Sequence, residues 1–266
     1  MRLFIIILFV ISFSGLQAQD YESVHIEKGR NPDIDNTIFK TGRGFLYQLS
    51  IYESGDEKQL VFSDTDWDFE EISQESSKGQ VNSIIYLTAS VNRSKRINKK
   101  QTEVIIGFEP QGKTFQNTGI VENAQNIWLH PPRSNFFKIL ELCPFPYVKF
   151  SSADLKWQDK IKIDQKWQDR RWATWEGDQT IDLIYANKGF KNIASHLGEF
   201  RCLITKSTAK STFGESILTT YFNSEVGFVK MEYEILGRYT VLLELVEIKE
   251  FGEILSPEDY LIKKRR

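Results

Sequence analysis

A period of two runs through this chain and sets what it can fold into. Ile161, Ile163 and Trp167 alternate with Lys160, Lys162, Asp164 and Lys166, while Val229, Met231, Tyr233 and Ile235 alternate with Lys230, Glu232 and Glu234. Phe45, Tyr47, Leu49 and Ile51 share one face of a third such segment. Successive side chains of a strand point to opposite sides, so these patterns predict antiparallel strands with one buried and one wet face. Further strands are expected at residues 58–62, 83–89, 103–108, 180–185, 201–205, 217–222 and 241–249. Turn chemistry separates them at Ser54-Gly55-Asp56, Gln111-Gly112-Lys113, Glu176-Gly177-Asp178, Asn187-Lys188-Gly189 and Leu236-Gly237-Arg238. The fold class that follows is mostly β: a curved antiparallel sheet, half-barrel or sandwich, with one short helix.

That helix is expected where Phe136, Ile139, Leu140 and Cys143 stand at helical spacing, with Ser134 as N-cap and Pro144 as terminator. The chain's 266 residues, 41% hydrophobic and 26% charged, are enough to close a large core. A polar stretch at 19–40 without a clear period reads as loosely ordered, and 41–255 as the β domain. Residues 109–119, rich in Gly, Gln, Thr and Asn, mark either a seam in that domain or a long hairpin loop. The closing 256–266, ending in Lys263, Lys264, Arg265 and Arg266, reads as a solvated basic tail.

The N-terminus fixes an address. Arg2 precedes an unbroken apolar run over residues 3–10, and small and polar residues follow up to Ala18. These are the three sections of a secretory signal peptide, assigned to 1–18, and the run is shorter than the ~20 apolar residues a spanning helix needs. The expected protein is periplasmic or extracellular, without a transmembrane anchor after cleavage. A formal net charge of −2, spread along the chain, leaves no basic field for a phosphate backbone, so nucleic acid is not an expected partner.

Export makes the two cysteines candidates for a cross-link. A Cys143–Cys202 disulfide would close a loop of about sixty residues and contribute ~4 kcal/mol in the loop-entropy picture, whereas free buried cysteines are the alternative. Trp157, Trp167, Trp172 and Trp175, close to Asp159, Asp169, Glu176 and Asp178, are candidate ligand-binding residues because flat rings beside carboxylates suit a glycan. The same rings also suit cross-strand packing in a hairpin. Asp64, Asp66 and Asp68 with Glu75 have the spacing of a calcium loop, but Phe69 replaces its obligatory glycine, so no metal is expected. Gly214-Glu215-Ser216 begins a nucleophile elbow that Leu218 breaks, and His25, His130 and His196 have no zinc spacing. No cofactor motif is present, and no catalytic residue is assigned.

Between Trp157 and Lys249, the Trp-rich hairpin is followed by Phe200-Arg201-Cys202-Leu203-Ile204, Phe213-Gly214-Glu215-Ser216 and Leu218-Thr219-Thr220-Tyr221-Phe222-Asn223. Val226-Gly227-Phe228-Val229-Lys230-Met231-Glu232-Tyr233 completes the series. This order resembles exported bacterial envelope proteins of unknown function whose curved antiparallel sheet is similar to the lipoprotein-carrier type, wrapped about a helix. The resemblance implies a concave apolar face for a lipid or peptide. The reading at this point is a non-enzymatic, envelope-associated binding protein with a lipid, a glycan or another envelope protein as partner. A secreted hydrolase with a carboxylate pair, or a component of a surface assembly, is the alternative.

Overall fold

The structure, a computed structural model, describes residues 24–29, 31–63, 66–72, 79–89, 101–110, 115–254 and 256–264. The expected signal segment, Asp64 and Glu75 of the calcium-like spacing, and the Gln111-Gly112-Lys113 turn lie outside them. One helical turn, α1 (Pro32–Asp35), precedes the strands β1 (Arg43–Glu53), β2 (Asp56–Phe62), β3 (Trp67–Glu70), β4 (Gln80–Ala89), β5 (Thr102–Pro110), β6 (Phe115–Glu122) and β7 (Asn126–Leu129). After β8 (Tyr147–Lys149) come β9 (Lys156–Ile163), β10 (Gln179–Ser195), β11 (Gly198–Ser211), β12 (Gly214–Asn223), β13 (Gly227–Ile235) and β14 (Tyr239–Glu250). A helix, α2 (Pro257–Lys264), ends the described chain.

All these strands join one 14-stranded sheet in the order β8-β7-β6-β5-β4-β2-β1-β14-β13-β12-β11-β10-β9, with β3 paired to β2. Two meanders meet in the middle, where β1 runs antiparallel to β14 from Arg43 opposite Glu250 to Glu53 opposite Tyr239. Tight turns hold the hairpins in register: Leu236 and Gly237 both have positive φ, 52° and 67°, which matches the twist of the strands they join. β5 and β6, on either side of residues 111–114, pair as neighbours in this sheet.

The sheet wraps around one core. Phe45, Tyr47, Leu49 and Ile51 of β1 share it with Ile181 and Leu183 of β10, Met231 and Tyr233 of β13, and Val241 and Leu243 of β14. The expected helix is present as a 3-10 helix, Asn135–Leu142, and lies inside this curve. Phe136, Phe137, Ile139, Leu140, Glu141 and Leu142 are all buried while Asn135 and Lys138 are partly exposed, so burial reaches well beyond one stripe. Ser134 occupies the expected N-cap position with extended backbone, although its side chain makes no capping bond.

The sheet's two ends, β8 and β9, share no ladder. Asn187 pins them instead: its Nδ2 donates to Lys149 O at 3.0 Å and to Ser152 O at 2.7 Å, and its Oδ1 accepts from Thr205 Oγ1 at 2.9 Å. Asn187-Lys188-Gly189 is therefore a bulge within β10, where the register with β11 shifts, and the hairpin turn falls at Ser195–Gly198. This corrects the expected turn.

Both ends of the described chain are tied to the sheet. Glu122 draws in the N-terminal segment by accepting from the N–H groups of Thr37, Ile38 and Phe39 at 2.6, 2.9 and 2.8 Å. Its anchor lies 85 residues away from Thr37, so local sequence gives no sign of it. At the other end, Tyr260 of α2 is buried against the outer face of the sheet beside Ile85, Leu87 and Ile105, and its hydroxyl donates to Glu109 at 2.7 Å. Lys264 pairs with the same carboxylate.

Candidate functional site

Polar groups sit deep in the core. Glu141 of the interior 3-10 helix has no exposed surface, and its Oε1 lies 3.7 Å from Nε2 of buried His130. The spacing would suit an ion pair, but burial acts against both charges. Burial, joined by the Arg133 charge, pushes His130 down to about 3, and burial pushes Glu141 up to about 8, against smaller pulls from Arg133 and Lys166. Both groups are therefore neutral near pH 7. His130 Nδ1 is 2.9 Å from Pro131 O, which assigns the imidazole proton to Nδ1 and leaves Nε2 as an acceptor facing the protonated acid.

A second group of polar atoms lies across the core. Tyr47 donates to Phe228 O at 2.8 Å, whereas the hydroxyls of Tyr86, Tyr233 and Thr220 have no partner among the described residues. Burial raises the pKa of Tyr86 and Tyr233 far above that of an ordinary phenol. Such hydroxyls each cost roughly 1–3 kcal/mol when unpartnered.

The four tryptophans do not form a common platform. Trp157 stacks on Tyr185 at 5.0 Å and 6°, Trp172 stacks on Trp67 at 5.9 Å and 17°, and Trp175 packs on Phe213 at 4.7 Å. Trp167 is half-buried against the core with Lys166 over its ring at 5.0 Å. Arg171 organises the loop that holds Trp172 and Trp175. Its guanidinium stands 3.7 Å above the Trp67 ring, is bidentate on Asp169 at 2.8 and 2.6 Å, and reaches Asp66 at 3.0 Å.

The expected disulfide is absent: Cys143 and Cys202 are both buried free thiols. The physical reason is the sheet between them. Cys143 belongs to the interior core, whereas Cys202 alternates with inward-facing Leu203 and joins Ile204 and Val229 in an outer-face cluster. Burial raises the Cys143 thiol far above its ordinary range and pushes Cys202 up to about 11. Neither thiol is primed as a nucleophile. Ser216 lies inside β12, where its Oγ accepts from Leu236 N at 3.4 Å. Among the described residues, no three His, Cys, Asp or Glu side chains are placed to hold a metal ion.

The outer surface carries features that no motif announced. β10 pairs with β9 only as far as Ala186, and β11 pairs with β12 only from Leu203 onward. Residues 187–202 therefore continue past these two ladders as a two-stranded ribbon, whose tip residues Ile193, Ala194, Ser195 and His196 lie beside Val229, Lys230 and Glu244. Ile193, Phe200 and Cys202 hold one side of it against Ile204, Val229 and Tyr221. Phe190, 49% exposed, and Leu197, 39% exposed, remain in solvent. The free edge at β9 presents exposed Lys156, Lys160 and Lys162 at alternate positions, and β8 is three residues long. Outside the sheet, among the described residues, no helix is long and apolar enough to cross a membrane.

Three solved structures resemble this architecture. A candidate exported protein with YmcC-like fold from Bacteroides fragilis NCTC 9343 is 10% identical over 80% of this chain and 97% of that chain, with a TM-score of 0.41. A candidate lipoprotein from Parabacteroides distasonis ATCC 8503 is 13% identical over 80% and 97% of the two chains, with a TM-score of 0.42. The hypothetical lipoprotein YmcC from Escherichia coli K12 is 10% identical over 81% and 91%, with a TM-score of 0.32. Each of these alignments spans about four fifths of this chain. No family model matches the sequence, and no curated protein does.

Proposed function

We propose that the chain is an exported, non-enzymatic binding protein of the cell envelope, periplasmic or extracellular, that works through its outer surface. The observation that carries this reading is the filled concavity. Phe136, Phe137, Ile139 and Leu140 of the interior helix occupy the face on which a lipoprotein-carrier-like sheet would hold its guest. Phe137 stacks on Phe108 at 5.3 Å and 13°, so the chain itself supplies the packing partner.

The alternatives fit less well. Glu141 and His130 are an acid and a base in contact, but both are sealed in the core, which weighs against a hydrolase. Alternating lysines on β9 and a three-residue β8 are devices that discourage strand addition, which weighs against assembly through sheet edges. Fractionation of cells expressing the full chain tests the reading. The expected outcome is a processed protein, starting near Gln19, that sediments with envelope fragments at low salt. Recovery in the cytosol with Met1 attached, or no sedimentation with any envelope fraction, would overturn it.

A further inference from the structure

We propose that residues 164–178 form a strap, closed across one end of the curved sheet and latched by Arg171, and that the aromatic layer beneath it is a binding site for a flat apolar molecule carrying a hydrogen-bond acceptor. This deepens the binding-protein reading and rests on it, placing the site at the rim of the filled concavity.

The hairpin between β9 and β10 does not need these residues. Ile163 is already paired with Gln179, yet fifteen residues, 164–178, separate them, whereas the turns at 54–55, 196–197, 212–213, 224–226 and 236–238 take two or three. Loops of such length with little regular structure are commonly binding loops or lids. Within this one, only the 3-10 turn Gln165–Trp167 and a single bridge between Asp169 and Ala173 are regular. The segment runs across the end of the sheet at which the β11–β12 and β13–β14 turns lie. Trp175 packs on Phe213 of the first turn, and the Arg171 carbonyl accepts from Arg238 Nη1 of the second at 2.9 Å. On the far side the segment reaches β3, where Trp172 stacks on Trp67.

Attachment on that far side converges on one side chain. Arg171 donates from Nη1 to Trp67 O at 2.8 Å and from Nη2 to Asp66 at 3.0 Å, and its guanidinium covers the Trp67 ring. The Asp66 side chain is 63% exposed, so water screens that pair and keeps the latch weak. Beneath the strap, Trp67, Phe69, Phe136 and Tyr239 form a connected layer of rings with centroids 5.1–6.1 Å apart. Flat rings suit a flat apolar guest. The indole N–H groups of Trp67, Trp172 and Trp175 are buried without an acceptor among the described residues. A buried donor without an acceptor is unfavourable, and a guest presenting a carbonyl oxygen would supply one.

The test uses the exported chain, with its N-terminus established by mass spectrometry, and Nile red as probe, a flat apolar dye with a carbonyl oxygen. The parent should bind the dye saturably. Arg171→Gln should bind it roughly tenfold more tightly, because loss of the charge-assisted contacts raises the fraction of open strap. Asp66→Asn, a change at a solvent-exposed residue outside the core, should act in the same direction by a smaller factor. Trp175→Phe keeps an aromatic ring and removes one donor, and should weaken dye binding about fivefold. Amide exchange should quicken in residues 164–178 of Arg171→Gln while β12 and β13 keep the parent's protection. No saturable binding by the parent, unchanged affinity in both latch variants or in Trp175→Phe, or strap exchange equal to the parent's would each overturn the proposal. Sedimentation of the parent with envelope fragments, without dye binding, would defeat the strap site and leave the envelope reading standing.

Discussion

Glu141 and His130 make opposite demands on the solution. Folding raises the carboxyl of Glu141 to about 8, so its contribution to stability is complete below the ordinary value of 4.5 and is lost as pH rises through 8. Folding lowers His130 to about 3, so its contribution is complete above the ordinary 6.5 and is lost as pH falls through 3. Between 4.5 and 6.5 the two slopes cancel, and stability from this pair falls away on both sides of that window. We expect the thermal midpoint to decline from pH 6.5 to 8.5, and Glu141→Gln to remove most of that decline, because glutamine fits the site without a proton to lose. A decline of the same size in the variant would locate its origin elsewhere.

The sequence shows Glu141 only as one acid inside the run Ile139-Leu140-Glu141-Leu142, and His130 only as a residue before two prolines. An acid within an apolar run is a usable sign of buried polar chemistry. Its partner was not legible, because the two meet only after the chain turns back at Ser134. The tryptophans were legible as a cluster, but the rings that each one stacks on come from distant segments: Tyr185 for Trp157, Phe213 for Trp175 and Trp67 for Trp172. Composition alone therefore left packing and binding equally open.

Among the elements, the longer strands are readable, β4 and β5 with both faces buried as much as one-faced β13, and the shortest are not. β13 alternates buried and polar side chains along Met231, Glu232, Tyr233, Glu234 and Ile235, and that pattern predicts it. β7, four residues all buried, and β8, three residues, have no alternation to read. The apolar spacing predicts the interior helix but not its burial beyond one stripe, since a stripe of four residues predicts one packed face. That burial makes it the element most sensitive to volume. Phe137→Ala removes a fully buried ring stacked on Phe108 and should cost about 3–5 kcal/mol by cavity formation. Equilibrium unfolding in urea checks this, and a loss under 1 kcal/mol would mean that the helix is not a fixed part of the core.

At the scale of the whole molecule, the chain's first and last long strands, β1 and β14, are paired at the centre of the sheet, while its sequence midpoint supplies both free edges, β8 and β9. Closure between those edges falls to contacts outside any ladder: the Tyr147 ring against Trp157, backbone bonds from Asn187 N to Leu155 O and Gly189 N to Ala153 O, and the Asn187 side chain. Asn187 is 3% exposed and uses both amide hydrogens and its carbonyl oxygen, so Asn187→Ala would leave Lys149 O, Ser152 O and the Thr205 hydroxyl without these partners. At roughly 1–3 kcal/mol for each buried group left unmet, the change is large enough to part the edges locally while the continuous ladders from β10 to β14 persist. Amide exchange should then show faster exchange in β8 and in residues 149–155, with protection in β12 and β13 retained. A uniform rise across all strands would instead show that the sheet opens as one unit and that its integrity does not depend on the Asn187 pin.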